Sequence, residues 1–184
     1  MALQLSDDGD HRFGERLRRT QAGEPQAFDE LVRWLEHALV GFLRARGAED
    51  PEGMANDVLV RVFRGIGRFE GGAAQFRAWV FKIARNAVID ERRYRARRPS
   101  VPVADDELPG SLAPDGTDGI GDRERVEAML SDLTDEQREV VLLRVVAGLS
   151  VDETARTVGK RPGAVRSMQN RALNHLRTVL SKRP

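Results

Sequence analysis

One segment near the C-terminus concentrates side chains that can hydrogen-bond to the bases and phosphates of nucleic acid. An arginine can bond guanine through two hydrogen bonds, and a glutamine or asparagine can bond adenine in the same way. A serine or a further arginine suits phosphate oxygens, which position a protein on DNA without specifying sequence. No acidic residue follows Glu153, so no carboxylate of this segment repels phosphate. The candidate DNA-contacting residues are Arg161, Pro162, Gly163, Arg166, Ser167, Gln169, Asn170 and Arg171.

The sequence around this segment predicts two short helices followed by a longer one. Residues 134–137 (TDEQ) and 150–153 (SVDE) both have the form of a capping box, which satisfies the first backbone N–H groups of a helix. Gly148 and Gly159 are predicted to end the two short helices, and Pro162 to begin the long one. Helices joined by a glycine-containing turn, the last of them basic, are typical of helix-turn-helix DNA-binding proteins. An ordinary helical hairpin with a solvated basic face is the alternative.

Charge is distributed unevenly along the chain, although the formal net charge is only +1. Residues 77–98 hold eight basic and two acidic side chains, and residues 154–184 hold eight basic and none acidic. Clustered arginine and lysine are the expected footprint of phosphate binding, and solvated helix faces are the alternative. Residues 99–122 hold six acidic side chains and no basic one. Such a segment cannot bury enough apolar area to offset its chain entropy, which predicts a flexible linker.

Three further helices are predicted in the N-terminal half. Apolar residues recur at three- and four-residue steps over residues 26–46, from Pro51 to Ile66 and from Phe76 to Val88. The pattern predicts an all-α fold with two small helical domains. The predicted divisions are a loose tail over 1–10, a helix bundle over 11–98, the flexible acidic linker over 99–122 and a helix-turn-helix domain over 123–184.

Several classes of function are not supported by the residues. The chain has no cysteine, which excludes disulfides and thiolate metal sites, and its three histidines lack metal-ligand spacing. It has no glycine-rich phosphate loop and no nucleophile elbow, so we expect no catalytic residue, no metal and no cofactor. The N-terminus lacks the apolar core of a signal peptide, and no stretch approaches the ~18 apolar residues that span a bilayer. These features predict a soluble, cytoplasmic protein without membrane insertion.

The C-terminal half resembles a known family. Residues 133–144 (LTDEQREVVLLR), 148–155 (GLSVDETA), 163–167 (GAVRS) and 171–173 (RAL) resemble region four of extracytoplasmic-function (ECF) sigma factors. In that family this region reads the upstream, or minus-thirty-five, promoter element. The resemblance implies the same role for the C-terminal candidate residues. Met168 stands where the family usually has an arginine.

The N-terminal half resembles a second segment of the same family. Residues 76–86 (FRAWVFKIARN) and the basic residues after them resemble the segment that melts the promoter and recognises the minus-ten element. A basic helix face can follow a phosphate backbone while aromatic and amide groups hold unstacked bases. The resemblance implies that the loop over 67–75 helps form a base pocket, whereas Trp79 lies on the apolar stripe and is predicted to pack in the core. The implied single-strand contacts are Arg77, Lys82, Arg85, Asn86, Asp90, Arg92 and Arg93.

The second predicted helix resembles the polymerase-binding segment of the family over residues 50–59 (DPEGMANDVL). Gly53 and the Asn56-Asp57 pair depart from the residues usual in the family, whereas negative charge is kept at Glu52 and Asp57. The implied polymerase-binding residues are Glu52, Asn56, Asp57, Arg61 and Arg64.

Taken together, the resemblance implies a transcription initiation factor that directs core RNA polymerase to promoters and helps melt the downstream element. Its implied partners are core RNA polymerase, promoter DNA as duplex and as melted non-template strand, and an anti-sigma factor. Two other functions stay open at this point. One is a helix-turn-helix regulator that binds duplex DNA without joining polymerase, and the other is an adaptor whose basic faces bind acidic partners.

Overall fold

Apolar residues at three- and four-residue spacing produce one helix after another along this chain. The computed structural model describes residues 7–97 and 128–181, and all regular secondary structure within these ranges is helical. The all-α prediction is therefore confirmed. Residues 128–131 form a short helical segment. The longer helices are α1 (Asp7–Gln21), α2 (Pro25–Ala45), α3 (Pro51–Ile66), α4 (Ala73–Arg97), α5 (Asp135–Val145), α6 (Val151–Val158) and α7 (Pro162–Ser181).

The N-terminal helices pack into a bundle around the stripes that the sequence predicts. Leu35, Leu39 and Phe42 of α2 are fully buried, and Val62 of α3 lies in the same core. Phe42 meets Phe81 of α4 edge to face, with 5.3 Å between the ring centroids. Helix α3 begins at a proline whose preceding residue, Asp50, caps it, and a proline at the first position of a helix loses no hydrogen bond.

Helix α1 was not predicted, and the loose tail assigned to residues 1–10 is wrong from Asp7 onward. One aromatic and one aliphatic side chain, Phe13 and Leu17, lie one turn apart, are each 2% exposed and anchor this helix on the bundle. Phe13 packs against Trp34 of α2 with ring centroids 4.8 Å apart. A stripe of only two large apolar residues is too short to stand out in the sequence. Residues 1–6 of the predicted tail lie outside the described ranges.

The C-terminal helices begin and end where the sequence predicts. Thr134 and Ser150 each accept a hydrogen bond from the backbone N–H three residues later, and both capping boxes are complete. Gly148 and Gly159 have φ of +64° and +70°, the left-handed conformation that glycine adopts without steric cost. Helix α7 begins at Pro162. The capped helices α5 and α6 and the long α7 pack together as a helix-turn-helix unit.

The N-terminal bundle, residues 7–97, and the C-terminal helices, residues 128–181, pack against each other. Helix α4 contacts α6, and α2 contacts α5. Buried residues of both parts, among them Phe81 and Val158, belong to one hydrophobic cluster. The predicted linker over 99–122 lies outside the described residues, and the predicted domain boundaries stay predictions.

Candidate nucleic-acid interface

Helix α7 presents a polar face on the side opposite its core contacts. Successive residues of an α-helix are about 100° apart, so Val165 and Met168 turn one side toward the core, where both are buried. Arg166, Ser167 and Asn170 lie on the other side and are exposed. Because Met168 is only 6% exposed, the position that usually carries an arginine in the resembled family does not face outward here.

The beginning of α7 has backbone geometry suited to phosphate. Pro162 occupies the first helical position and has no N–H, while the carbonyl of Arg161 accepts hydrogen bonds from Ala164 and Val165 at 3.0 and 3.2 Å. Gly163 is exposed in this first turn. Backbone N–H groups and the positive end of the helix dipole make such a terminus a favourable place for an anion.

Gln169 lies apart from the other candidates of α7. Its Oε1 accepts a hydrogen bond of 3.2 Å from Nε of Arg144 on α5, and the contact is partly buried. Arg144 also donates to the backbone carbonyl of Leu149, in the turn before α6. The predicted base contact of Gln169 is therefore at odds with the structure, because its carbonyl oxygen faces α5 and is already bonded.

The exposed face of α7 continues beyond the predicted residues. Asn174 and Arg177 follow Asn170 at four and seven residues, so they lie on the same side of the helix, and both are exposed. Their side chains approach at 3.5 Å. The spacing of four and seven residues from Asn170 is the sequence signal from which both residues could be predicted to share this face.

Helix α4 carries a second exposed polar face. Lys82, Asn86, Asp90 and Arg93 recur at three- and four-residue steps, and all four are exposed. Asp90 and Arg93 approach at 3.8 Å, but both side chains are more than two-thirds exposed, so the pair is weak. Lys82, Asn86 and Arg93 are thus accessible to a polyanion along one side of the helix.

Arg85 and Arg92 lie on a different side of α4 and contact the C-terminal helices. Nε of Arg85 donates to Oε1 of Glu139 at 2.9 Å. Arg92 forms an ion pair with Asp135, the first residue of α5. The charge count along the sequence groups these two arginines with the exposed ones, but their guanidinium groups are bonded to carboxylates of the other part of the protein.

Among the predicted single-strand DNA contacts, Arg77 is the one that disagrees most clearly with the structure. Its side chain is 1% exposed, and its guanidinium carbon lies 5.4 Å from the centroid of the Phe13 ring. A phosphate cannot reach a group at this depth while α1 covers it. Arg77 therefore supports the packing of α1 on α4, and we remove it from the candidate DNA contacts.

Aromatic residues order the loop between α3 and α4. Phe69 stacks on Trp79 with ring centroids 5.3 Å apart, and Trp79 packs against the core as predicted. Nε2 of Gln21 donates to the carbonyls of Ile66 and Phe69 at 3.0 and 2.8 Å, which attaches the loop to α1. A cavity of about 270 Å³ opens beside the loop. Its lining residues are His11, Gly14, Leu17, Arg18, Gly71, Gly72 and Ala73.

The candidate polymerase-binding residues share one exposed face of α3. Glu52, Asn56, Asp57, Arg61 and Arg64 are all exposed, and Glu52 forms an ion pair with Arg44 of α2.

The glycine that departs from the family pattern in α3 has a local explanation. Gly53 N–H donates to Oδ1 of Asp50 at 2.9 Å, and a Cβ on Gly53 would lie 2.1 Å from the other carboxylate oxygen. Any larger residue at this position would therefore displace the capping carboxylate of Asp50.

Two features are absent from the described ranges, 7–97 and 128–181. None of the helices there is long and apolar enough to cross a membrane. Nor do those residues contain a group of three or more histidine, cysteine, aspartate or glutamate side chains able to hold a metal ion.

Comparison with known proteins points to one family for both halves. The profile of Sigma-70 region 2 matches residues 27–98, and the profile of Sigma-70 region 4 matches residues 123–176. The ECF RNA polymerase sigma factor ShbA of Streptomyces griseus is 33% identical, covering 95% of this chain and 98% of ShbA. The ECF RNA polymerase sigma factor BldN of Streptomyces coelicolor is 32% identical over 95% of this chain and 68% of its own length.

Solved structures show the same similarity. CnrH, in a complex with the cytosolic domain of CnrY, is 25% identical with a TM-score of 0.64, covering 94% of this chain and 99% of that chain. The sigma factor RpoE of Bartonella quintana, in a complex with the anti-sigma factor NepR, is 25% identical with a TM-score of 0.65. That match covers 85% of this chain and 98% of RpoE.

Proposed function

Since this chain belongs to the ECF sigma factors of RNA polymerase, we propose that α7 reads the upstream promoter element and α4 holds the melted downstream element. The chain is a transcription initiation factor that directs RNA polymerase to promoters. A regulator that binds duplex DNA alone is not favoured, because region 2 as well as region 4 is matched. The observation that carries the proposal is the exposed face of α7, where Arg166, Ser167 and Asn170 stand together on a capped helix-turn-helix unit.

In this proposal α7 contacts duplex DNA and α4 contacts single-stranded DNA. Arg166 and Asn170 contact base edges in the major groove, while Gly163 N–H and Arg171 contact phosphates. Lys82, Asn86 and Arg93 of α4 contact the displaced strand. Holding a base outside the stack offsets the few kcal/mol that unstacking costs, so the duplex opens without a covalent step.

We infer that the exposed face of α3 binds core RNA polymerase. Its acidic residues Glu52 and Asp57 lie in the first half of the helix and its basic residues Arg61 and Arg64 in the second half, which favours a partner surface with both signs of charge. The variant Asp57→Arg is expected to reduce co-purification with core polymerase at least tenfold, since a like charge across an interface costs several kcal/mol. Asp132→Arg, an exposed change in the C-terminal helices, is the matched control and should co-purify normally.

An anti-sigma factor is a further proposed partner. The support is the relative RpoE, whose solved structure contains the anti-sigma factor NepR. A protein of that class would keep this sigma factor from polymerase in the cytoplasm, where we expect it to act. Addition of this anti-sigma factor, once purified, to a run-off transcription reaction should abolish the promoter-specific product.

Run-off transcription tests the main proposal. Purified core polymerase with this protein should yield a promoter-specific transcript from genomic templates. The double variant Arg166→Ala with Asn170→Ala should lose that product, whereas Arg33→Ala, which removes an exposed charge from α2, should keep it. If the wild-type holoenzyme makes no promoter-specific product from any genomic template, the proposed function is wrong.

A further inference from the structure

A carboxylate of the C-terminal helices is buried between two arginines of the N-terminal bundle. The side chain of Glu139 on α5 is 8% exposed. Its Oε1 accepts a hydrogen bond from Nε of Arg85 at 2.9 Å and lies 3.5 Å from Nη2 of Arg46. A charged carboxylate at this depth is stable only with such partners. Glu139 therefore couples the two parts of the protein.

A second set of contacts surrounds the first turn of α5. Arg92 of α4 pairs with the carboxylate of Asp135, and Nη1 of Arg46 donates to the Asp135 carbonyl at 2.8 Å. Nη2 of Arg92 also donates to the carbonyl of Arg46 at 2.5 Å. Arg46 is itself 4% exposed at the end of α2. Burial lowers the pKa of Arg46, and the charge of Glu139 opposes that effect.

Two of the three arginines in these contacts come from the same helix as the proposed single-strand contacts, and the third, Arg46, lies at the end of α2. Arg85 and Arg92 belong to α4, whose exposed residues Lys82, Asn86 and Arg93 are proposed to hold the melted strand. A carboxylate and a phosphate use a guanidinium in the same way, through charge-assisted hydrogen bonds. The same face of one guanidinium cannot bond a carboxylate and a phosphate at the same time.

We propose that Glu139 and Asp135 form a latch that closes the C-terminal helices onto α4 and competes with the melted promoter strand for Arg85 and Arg92. This inference rests on the proposed function of α4. In the closed form the carboxylates occupy the positions that phosphates take in the open complex. DNA contacts to Arg85 and Arg92 therefore require the latch to open, and only the open fraction of the protein has full affinity.

The latch is testable in the full chain because one change removes the charge of Glu139 while keeping its volume. Glu139→Gln leaves Arg46 buried without its counter-charge, which favours the open form. Glu136→Gln is the matched control. Glu136 lies on the same helix, but its carboxylate pairs with Lys160 at 2.7 Å, and this ion pair lies within the C-terminal helices.

Two measurements report on the latch directly. The chain has no cysteine, so His37→Cys on α2 and Thr178→Cys on α7, both exposed, allow a fluorophore pair that measures the separation of the two parts. The second measurement is the affinity for a fluorescent single-stranded DNA oligonucleotide of mixed sequence. Glu139→Gln should increase the label separation and raise the oligonucleotide affinity about tenfold, as expected if roughly nine-tenths of the wild-type molecules are closed. Glu136→Gln should leave both unchanged.

A second variant keeps the test decisive if Glu139→Gln does not fold. Asp135→Asn changes an exposed carboxylate opposite Arg92 and should raise the oligonucleotide affinity by a smaller factor, about twofold to threefold, because the Glu139 contacts remain. Wild-type separation and affinity in a folded Glu139→Gln protein, or in Asp135→Asn if the first is unfolded, would overturn the latch.

Run-off transcription separates failure of the latch from failure of the proposed function. If the wild type makes a promoter-specific product while Glu139→Gln shows no change in separation or affinity, the latch is wrong and the function stands. If no protein makes that product, the function is wrong. The separation and the oligonucleotide affinity then still decide whether the latch exists.

Discussion

Two neighbouring residues of α7 with side-chain amides, Gln169 and Asn170, should respond very differently to substitution. Asn170 is exposed on the polar face, whereas Gln169 has its Oε1 bonded to Nε of Arg144 at 3.2 Å in a partly buried contact. We expect Asn170→Ala to weaken binding to the upstream promoter element, and Gln169→Leu to leave that binding nearly unchanged. Sequence alone assigns the same DNA-reading role to both residues.

The size of each effect follows from the contact that is lost. A bidentate contact to a base contributes about 1–3 kcal/mol to discrimination, so Asn170→Ala should reduce promoter affinity about 5-fold to 150-fold. Gln169→Leu removes one hydrogen bond between α5 and α7, which contributes about 0.5–1.5 kcal/mol to folding. Its effect should therefore appear in the free energy of unfolding, with promoter affinity changed less than about twofold, within the spread of a neutral surface change.

Two assays distinguish these outcomes. Fluorescence anisotropy of the holoenzyme with a promoter duplex gives the affinity, and urea unfolding of the free protein gives the stability. Arg144→Met provides the cross-check. Combined with Gln169→Leu it should show a coupling energy of about 0.5–1 kcal/mol in unfolding, because both changes remove the same bond. Loss of promoter affinity in Gln169→Leu equal to that in Asn170→Ala would refute the assignment of the two faces of α7.

Three further outcomes are expected. Thr134→Ala should lower the free energy of unfolding by about 1 kcal/mol in a urea titration, because it removes the capping hydroxyl of α5. Burial raises the pKa of Asp135, but the hydrogen bond and charge of Arg92 outweigh it and hold that pKa below its ordinary value. The Arg92 contact therefore stabilises the folded state above the ordinary carboxylate range and is lost as pH falls through the lowered pKa. Urea unfolding from neutral to acidic pH should show a smaller loss in Asp135→Asn than in the wild type. Arg77→Ala should destabilise the fold by about 2–4 kcal/mol through the volume it leaves under α1. The oligonucleotide affinity of the folded variant should stay at the wild-type value, and a loss of affinity would restore Arg77 to the interface.

Local signals in the sequence predicted the parts of the fold that depend on local chemistry. The capping boxes at Thr134 and Ser150 and the left-handed Gly159 are satisfied within a few residues of chain, and the structure has all three as predicted. Helix α1 was missed because its burial depends on partners far away in the sequence. Phe13 packs on Trp34, a contact that no periodicity within α1 reveals.

The functional residues were harder to assign because charge alone does not tell which way a side chain points. Arg77, Arg85 and Lys82 all belong to one basic run, yet the first is buried, the second is bonded to Glu139 and the third is exposed. Their positions on the helix differ by multiples of 100°. Only the packing of α1 and α5 against α4 decides which of those directions is open to solvent.

Two acidic residues of α5 stabilise their own helix and also contact residues that are distant in the sequence. Asp135 and Glu136 both stand in the first turn, where negative charge stabilises the positive end of the helix dipole. Asp135 also meets Arg92, while Glu136 meets Lys160. A change at Asp135 therefore alters both the helix and the junction, whereas a change at Glu136 alters the helix with a contact inside the C-terminal part. Comparing Asp135→Asn with Glu136→Gln therefore sets the junction contact of Asp135 against the internal Lys160 contact of Glu136, since the two carboxylates have nearly the same relation to the dipole.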